Sequence, residues 1–236
     1  MTTKETINPN KTARIAGILY LIIFITGTFT QLYILDSFIV PGDAATTANN
    51  IMASESLFRL GFVITLIRQT VFILLALVLY KLLKIVNKNV AVLMVVLSLV
   101  AVPISMLSEL YLFAALLPLS GAGYLTAFTA EQLHALVSLF LDLREHGLLI
   151  AQLLSVWLLP YGYLVYKSGF LPRIFGILLI IAGCGFLIDF VTFFLFPNFD
   201  VTLSLFTFWG EPLFALWLLI KGVNVAQWEK RALESA

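Results

Sequence analysis

The chain has 236 residues, of which 61% are hydrophobic and only 11% charged, and its mean hydropathy is +1.03. A water-soluble domain carries roughly 25% charged residues, so this composition excludes a soluble globular protein and predicts that the lipid bilayer is its solvent. The formal net charge of +1 leaves no concentrated basic surface of the kind that nucleic acid requires, and we therefore expect no nucleic-acid partner.

Six segments are long and apolar enough to cross the hydrocarbon core, which takes about 20 helical residues. They cover residues 15–35, 60–82, 91–116, 147–166, 174–196 and 203–220. The predicted fold class is therefore all-α, a polytopic transmembrane helical bundle of about six spans that forms one integral membrane domain over residues 1–236. Residues 131–146 have a helical pattern but carry six ionisable side chains. They form either an interfacial helix at the outer face or an extension of the fourth span.

Lysine and arginine residues lie almost entirely at one end of the predicted spans. Eleven fall at that end, against only Arg59 and Arg144 near the other. Because short cytoplasmic loops are rich in Lys and Arg, the bias predicts a protein of the cell membrane with residues 1–13 and 225–236 as cytoplasmic tails. The eleven are Lys4, Lys11, Arg14, Lys81, Lys84, Lys88, Lys167, Arg173, Lys221, Lys230 and Arg231.

The first two and the last two predicted spans share residues at corresponding positions. Arg14-Ile-Ala-Gly-Ile-Leu begins the first span and Arg173-Ile-Phe-Gly-Ile-Leu begins the fifth. The pattern Lys-x-x-Asn ends the second span at Asn87 and the sixth at Asn224. Both hairpins run in the same direction, so the pattern indicates a parallel internal repeat, an arrangement in which transporters build a site at the repeat interface. The alternative is convergence of apolar helices with basic ends.

Four ionisable side chains lie within predicted spans, where a charge costs about 2.5–3.5 kcal/mol on insertion scales. Arg68, followed by Gln69, lies in the second span, Glu109 in the third, Asp189 in the fifth and Glu211 in the sixth. Arg68 is the one cation expected at this depth, and it cannot neutralise three carboxylates. At least one acid is therefore expected to be protonated, bound to a cation or in contact with water. These five residues are the predicted ligand-binding set of an outward-facing polar pocket. The alternative is a structural pair between Arg68 and one carboxylate.

Prolines fall inside three of the predicted spans. Pro103, Pro160 and Pro212 interrupt the third, fourth and sixth spans, and each removes one backbone hydrogen bond. Membranes tolerate such breaks where protein or water satisfies the freed carbonyl. The pair Glu211-Pro212 therefore predicts a ligand-facing kink.

A second candidate site involves Asp142 and His146, which lie four residues apart and so on one face of a helix. Either Glu109 or Asp189 could supply a third ligand, and three protein ligands plus water would suit a zinc hydrolase. The chain has only two histidines and no HExxH spacing, so a solvated surface pair is the alternative. No pattern assigns catalytic residues or a cofactor.

Four stretches of the chain carry a family resemblance. They are residues 13–21, 80–88, 162–173 and 216–223, and the most specific is Tyr166-Lys-Ser-Gly-Phe-Leu-Pro-Arg173. Together they resemble the bacterial family known as domain of unknown function 4386. The resemblance covers nearly the whole chain and implies a prokaryotic multi-pass membrane protein without an established activity. The resemblance also implies a histidine in many relatives at the position where this chain has Trp157, which argues against a mechanism that needs a histidine there.

Three functions fit these patterns. The first is binding or transport of a small molecule or ion through the outward-facing pocket, with Arg68 as counter-ion or anion anchor and Glu109, Asp189 and Glu211 as proton or cation carriers. The second is an intramembrane metal-dependent hydrolase that acts on lipid, and the third is a non-catalytic structural or accessory subunit. The sequence leaves open whether the protein is an enzyme and whether it forms oligomers. The lipid bilayer is the one partner that its composition requires.

Overall fold

A computed structural model describes residues 8–196 and 201–234, and every regular element in these ranges is helical. Residues 1–7 and 235–236, which include Lys4 and parts of both predicted tails, lie outside them, as do residues 197–200. The α-helices are α1 Pro9–Phe29, α2 Asp36–Phe38, α3 Ala44–Ala53, α4 Glu55–Leu83, α5 Lys88–Ala114, α6 Ala130–Leu153, α7 Leu158–Ser168, α8 Arg173–Leu195, α9 Ser204–Thr207, α10 Gly210–Ile220 and α11 Val225–Glu234. A π-helix covers Thr30–Leu35, and 3₁₀ turns cover Leu117–Leu119, Gly123–Ala127 and Leu154–Trp157.

Five helical segments are long and apolar enough to cross a membrane, and the number is six if one bent helix pair is counted as a span. The five are Pro9–Phe38, Glu55–Leu83, Lys88–Leu119, Ala130–Ser168 and Arg173–Leu195; the pair is Ser204–Ile220 with Val225–Glu234, bent by 98°. Their outer surfaces carry large apolar side chains such as Ile25, Leu107 and Leu195, as expected where lipid replaces water. The chain is thus an all-α polytopic membrane protein, as its sequence predicted.

The region of residues 131–146 extends the fourth span. α6 begins at Ala130 and belongs to one helical segment that reaches Ser168, so residues 131–146 are continuous with the fourth span. The described part of the predicted C-terminal tail is also helical, since it forms α11.

Two of the three prolines stand at breaks in their spans. Pro160 is the third residue of α7, after the 3₁₀ turn Leu154–Trp157, and Pro212 is the third residue of α10, after α9 ends at Thr207. Proline is tolerated in the first turn of a helix, where its missing N–H would have no intrahelical partner. The expected interruption at Pro103 is wrong because α5 continues through it.

The chain divides into two compact units, and α1, α4, α5 and α6 each contribute residues to both. The first unit comprises Met1–Ile22, Val71–Ala101 and Gln152–Ala236, and the second comprises Ile23–Thr70 and Val102–Ala151. The single domain over residues 1–236 and the internal repeat both stay predictions.

The first unit is held by a close approach of two helix backbones. A Cβ atom added to either Gly162 of α7 or Gly176 of α8 would lie 2.6 Å from the carbonyl oxygen of the other, so only glycine lets these helices meet. At the basic end of the unit, Trp228 of α11 is buried and donates from its indole nitrogen to the carbonyl of Leu82 at 3.0 Å. This bond fixes α11 against the end of α4.

The second unit packs apolar side chains from the π-helix, α3, α4, α5 and α6 around one core. Ile34, Phe58 and Leu112 are fully buried there. Asp43 caps α3, since its carboxylate accepts hydrogen bonds from the amide of Thr46 at 2.9 Å and from its hydroxyl at 2.7 Å.

Candidate functional site

The principal polar cluster joins three long helices of the second unit through the carboxylate of Glu109. Arg144 of α6 donates to it twice, from Nε to Oε2 at 2.7 Å and from Nη2 to Oε1 at 3.1 Å. Arg68 of α4 donates once, from Nη2 to Oε1 at 3.2 Å. The Glu109 side chain has no solvent exposure. A bidentate guanidinium–carboxylate contact is among the strongest hydrogen-bonded pairs in proteins.

The cluster carries a net positive charge. Arginine does not lose its proton in proteins, so two guanidinium groups face one carboxylate. The expectation that Arg68 is the one deep cation is therefore wrong, because Arg144 is buried as well, with 8% of its surface exposed. Arg68 is the more open of the two, with 26% of its side chain exposed.

Two buried side-chain polar atoms of the second unit have no hydrogen-bond partner among the described residues. They are Nε of Arg68 and Oγ1 of Thr30, and both are buried. Arg68 packs over Gly27, where a Cβ atom would lie 3.2 Å from Nη1 of Arg68. Thr30 follows Gly27 by three residues, so the two share a face of the first span. Thr30 also begins the π-helix, a rare element that is frequent at functional sites.

Gln69, also predicted to bind ligand, is largely buried next to Arg68 in the sequence. No hydrogen bond between its side chain and Glu109 is present in the described part of the chain. Its position one residue along α4 turns it about 100° from Arg68. The structure thus brings Arg68 and Glu109 together and adds Arg144.

Asp189 lies in the first unit and holds the start of α9. Its carboxylate accepts hydrogen bonds from the amides of Leu203 at 2.6 Å and Ser204 at 2.8 Å. A carboxylate on the first amides of a helix satisfies donors that have no intrahelical acceptor. This geometry gives Asp189 a structural partner of its own.

Glu211 also lies in the first unit, in the first turn of α10 and partly buried. The hydroxyl of Tyr20 donates to its Oε2 at 3.0 Å. Tyr161, which is fully buried and stacks on Trp157, has a hydroxyl without a hydrogen-bond partner among the residues described. Over that same part of the chain, Glu211 forms no ion pair. Among the described residues, Glu211 is therefore a deep acid that accepts a hydrogen bond from a phenol and pairs with no cation.

A family model described as domain of unknown function DUF4386 matches residues 15–222. The chain belongs to this family. A protein of Archaeoglobus fulgidus, described as an uncharacterized protein, is 41% identical over 73 residues, which cover 31% of this chain and 44% of that relative. The match therefore spans less than half of the relative's length. No solved structure matches the DUF4386 protein.

The described residues of this DUF4386 protein supply no further ligand for the predicted metal site of Asp142 and His146. The Nδ1 atom of His146 lies 2.6 Å from the backbone carbonyl oxygen of Asp142. Glu109 is already bound by two guanidinium groups, and Asp189 by two amides. No group of three or more His, Cys, Asp or Glu side chains that could hold a metal occurs in residues 8–196 and 201–234.

Sequence reasoning missed Arg144 because it lies in a segment dense in charge. A usable signal was nevertheless present, since Val137, Leu141 and Arg144 follow the spacing of one helical face. The structure buries all three. An arginine on the apolar stripe of a helix is expected to need an acid on a neighbouring helix.

Proposed function

We propose that this DUF4386 protein binds a small anionic solute at the cluster of Arg68, Glu109 and Arg144. The observation that supports the proposal is the excess of one positive charge in the cluster, two guanidinium groups against one fully buried carboxylate. An uncompensated cation in apolar surroundings is costly. A bound anion would neutralise the excess positive charge. The electrostatic free energy recovered in this way would contribute to the affinity for the anion.

The two arginines would have different roles. Arg144 uses two of its nitrogens on Glu109, which makes it the anchor of the carboxylate. Arg68 uses one, and its buried Nε has no acceptor among the described residues. Arg68 would therefore contact the anion, with the unpartnered hydroxyl of Thr30 as a second donor. A planar guanidinium matches carboxylate and phosphate oxygens, so these are the ligand classes we expect.

Anion binding can be tested on the purified full chain with inorganic phosphate and succinate as probes, by calorimetric titration and by thermal shift. Arg68→Gln is expected to weaken binding at least about tenfold, since a charge-assisted hydrogen bond contributes about 1.5–3 kcal/mol. Arg59→Gln is the matched control, because Arg59 lies on the same helix but pairs with Glu55 at an exposed position. The proposal is wrong if neither probe binds, or if both variants bind like the wild type.

Transport would require a second group that changes charge during the cycle, and Glu211 is the proposed proton or cation carrier. Its phenol partner, Tyr20, can donate to the ionised carboxylate and remain beside the neutral one. The test is phosphate or succinate flux in proteoliposomes with an imposed pH or sodium gradient. Arg68→Gln and Glu211→Gln should each reduce flux, whereas Arg59→Gln should not. Unchanged flux in both of the first two would refute transport.

Both termini are proposed to lie in the cytoplasm, with the chain in the cell membrane of a prokaryote. The basic residues near α11 and the α7–α8 turn support this orientation. A membrane-impermeant maleimide tests it in intact bacteria, on single cysteines introduced at Thr126 and Lys230 in a Cys184→Ala background. Both positions are exposed. We expect Thr126→Cys to react directly and Lys230→Cys only after permeabilisation; the reverse pattern would invert the topology.

A further inference from the structure

A pocket of about 420 Å³ lies at the basic end of the first unit. Its walls come from the turn between α7 and α8, the end of α10 and the start of α11. The side chains that line it include Trp217, Lys221 and Gln227. Nothing in the anion-binding cluster of the second unit contributes to it.

The walls of the pocket are tied together by backbone hydrogen bonds. Gly169 ends α7 with a φ of 77°, and Gly222 follows α10 with a φ of 67°, a conformation that favours glycine. The amide of Asn224 then donates to the carbonyl of Phe170 at 3.1 Å, which joins the two turns. The pocket is therefore a feature of the folded backbone and needs no rearrangement to form.

The charge around the pocket is mainly positive. Lys221 lines it, is exposed, and has no ion pair within residues 8–196 and 201–234. The end of α7, the start of α8 and the helix α11 carry further basic side chains, and the acids described in these segments are Glu229 and Glu234. The basic side chains of these segments are Lys167, Arg173, Lys230 and Arg231.

Two of the segments that line the pocket, α10 and α11, also carry exposed apolar side chains. Ile220 is 66% exposed next to Lys221, and Leu233 of α11 is 80% exposed. α11 bends by 98° from the preceding helical segment and buries Trp228 on its inner face. Amphipathic helices with exposed apolar side chains next to basic ones lie in the interface between headgroups and acyl chains.

We infer that this pocket binds the headgroup of an anionic phospholipid, with Lys221 against the phosphate and Trp217 against the glycerol and first acyl carbons. Basic pockets between helices on the cytoplasmic side of membrane proteins bind such headgroups. The combination of one unpaired cation, a neighbouring indole and exposed apolar side chains suits a lipid better than a free anion, which would use only the charge. The inference does not depend on the proposed anion site.

Quenching of tryptophan fluorescence by brominated lipid tests the inference on the full chain. Vesicles of phosphatidylcholine would contain an equal fraction of either brominated phosphatidylglycerol or brominated phosphatidylcholine. The phosphatidylglycerol is expected to quench more strongly, and Trp217→Phe should abolish the difference. Lys221→Gln should lower the preference for phosphatidylglycerol about fivefold, which corresponds to about 1 kcal/mol for one basic side chain near the surface.

Lys230→Gln is the matched control, because it removes the same charge from an exposed position of α11 outside the pocket lining. It should retain the preference, and Lys221→Arg should restore it. Equal quenching by both lipids, or equal loss in the two glutamine variants, would overturn the inference in favour of general surface attraction. Reversal of the excess quenching by inorganic phosphate would overturn it in favour of a free-anion site.

Discussion

Arg144 and Glu109, separated by 35 residues in the chain, form a bidentate pair with distances of 2.7 and 3.1 Å inside the second unit. The carboxylate is fully buried, and Arg68 supplies its third hydrogen bond. The two arginines therefore differ in how they use their donors. Arg144 directs two nitrogens to Glu109, whereas Nε of Arg68 has no acceptor among the described residues. The consequences can be measured separately for stability and for binding.

Removal of the shared carboxylate should destabilise the protein strongly. Glu109→Ala would leave two guanidinium groups in apolar surroundings, and the expected loss in the free energy of unfolding is about 3–5 kcal/mol. Glu55→Ala is the control, because its pair with Arg59 is 51% exposed on both sides and should be worth about 0.3–0.5 kcal/mol. Denaturation of both variants in the same detergent compares them. Similar losses would mean that Glu109 does not hold the arginines together.

The unpartnered hydroxyl of Thr30 should be unimportant for stability but important for anion binding. Thr30→Val removes a buried polar atom without a described partner, so the free energy of unfolding should stay unchanged or rise by up to about 1 kcal/mol. Affinity for phosphate or succinate should fall. Thr47→Val is the matched control, since the Thr47 hydroxyl both donates to and accepts from the backbone of Val40.

For Thr47→Val we expect a loss of about 1 kcal/mol or more, because a backbone amide loses its acceptor, and no change in anion affinity. Thermal unfolding and calorimetric titration give the two readouts. If Thr30→Val destabilised the protein as much as Thr47→Val, the Thr30 hydroxyl would have a structural partner.

The close contact between α7 and α8 should leave no room for a side chain in place of Gly176. A Cβ atom there would lie 2.6 Å from both the carbonyl oxygen of Gly162 and the amide nitrogen of Tyr166. Because the neighbours are backbone atoms, Gly176→Ala should cost about 1–3 kcal/mol. Gly183→Ala on the same helix is the control, since its nearest atoms belong to leucine side chains at 3.1 Å. It should be close to neutral, and equal losses in thermal unfolding would contradict the close contact.

Acidification should loosen α3 through its cap. The amide and hydroxyl of Thr46 hold the pKa of Asp43 below its ordinary value, because both hydrogen bonds favour the charged carboxylate. A carboxyl with a lowered folded pKa stabilises the fold fully above its unfolded pKa of about 3.9, and that contribution is lost as the pH falls through the folded value. Stability should therefore fall below about pH 4 in the wild type.

Asp43→Asn keeps a capping oxygen that does not titrate, so this part of the acid dependence should disappear in the variant. Thermal unfolding between pH 6 and pH 3, together with a carboxyl titration by NMR, measures the difference. An identical pH profile in both proteins would show that the Asp43 carboxylate is not held by Thr46.

Local composition alone determined the fold class, because a bilayer demands about 20 apolar residues per crossing and requires each span to satisfy its own backbone hydrogen bonds. It also predicted that Arg68 and Glu109 belong to a buried polar site. The break before α10 was expected from Pro212, whereas the continuity of α5 through Pro103 was not, since one lost backbone bond does not end a helix that its neighbours support.

Only the tertiary structure decided which partners the deep charges have. Helix rotation and packing brought Arg144 to Glu109, Asp189 to the first amides of α9 and Glu211 to Tyr20. Hydropathy along a chain depends on neighbours in sequence, but the pairing of ionisable side chains depends on which faces of distant helices meet. That is why the sequence identified a membrane protein with buried charges, and why the net charge of each cluster became evident only in three dimensions.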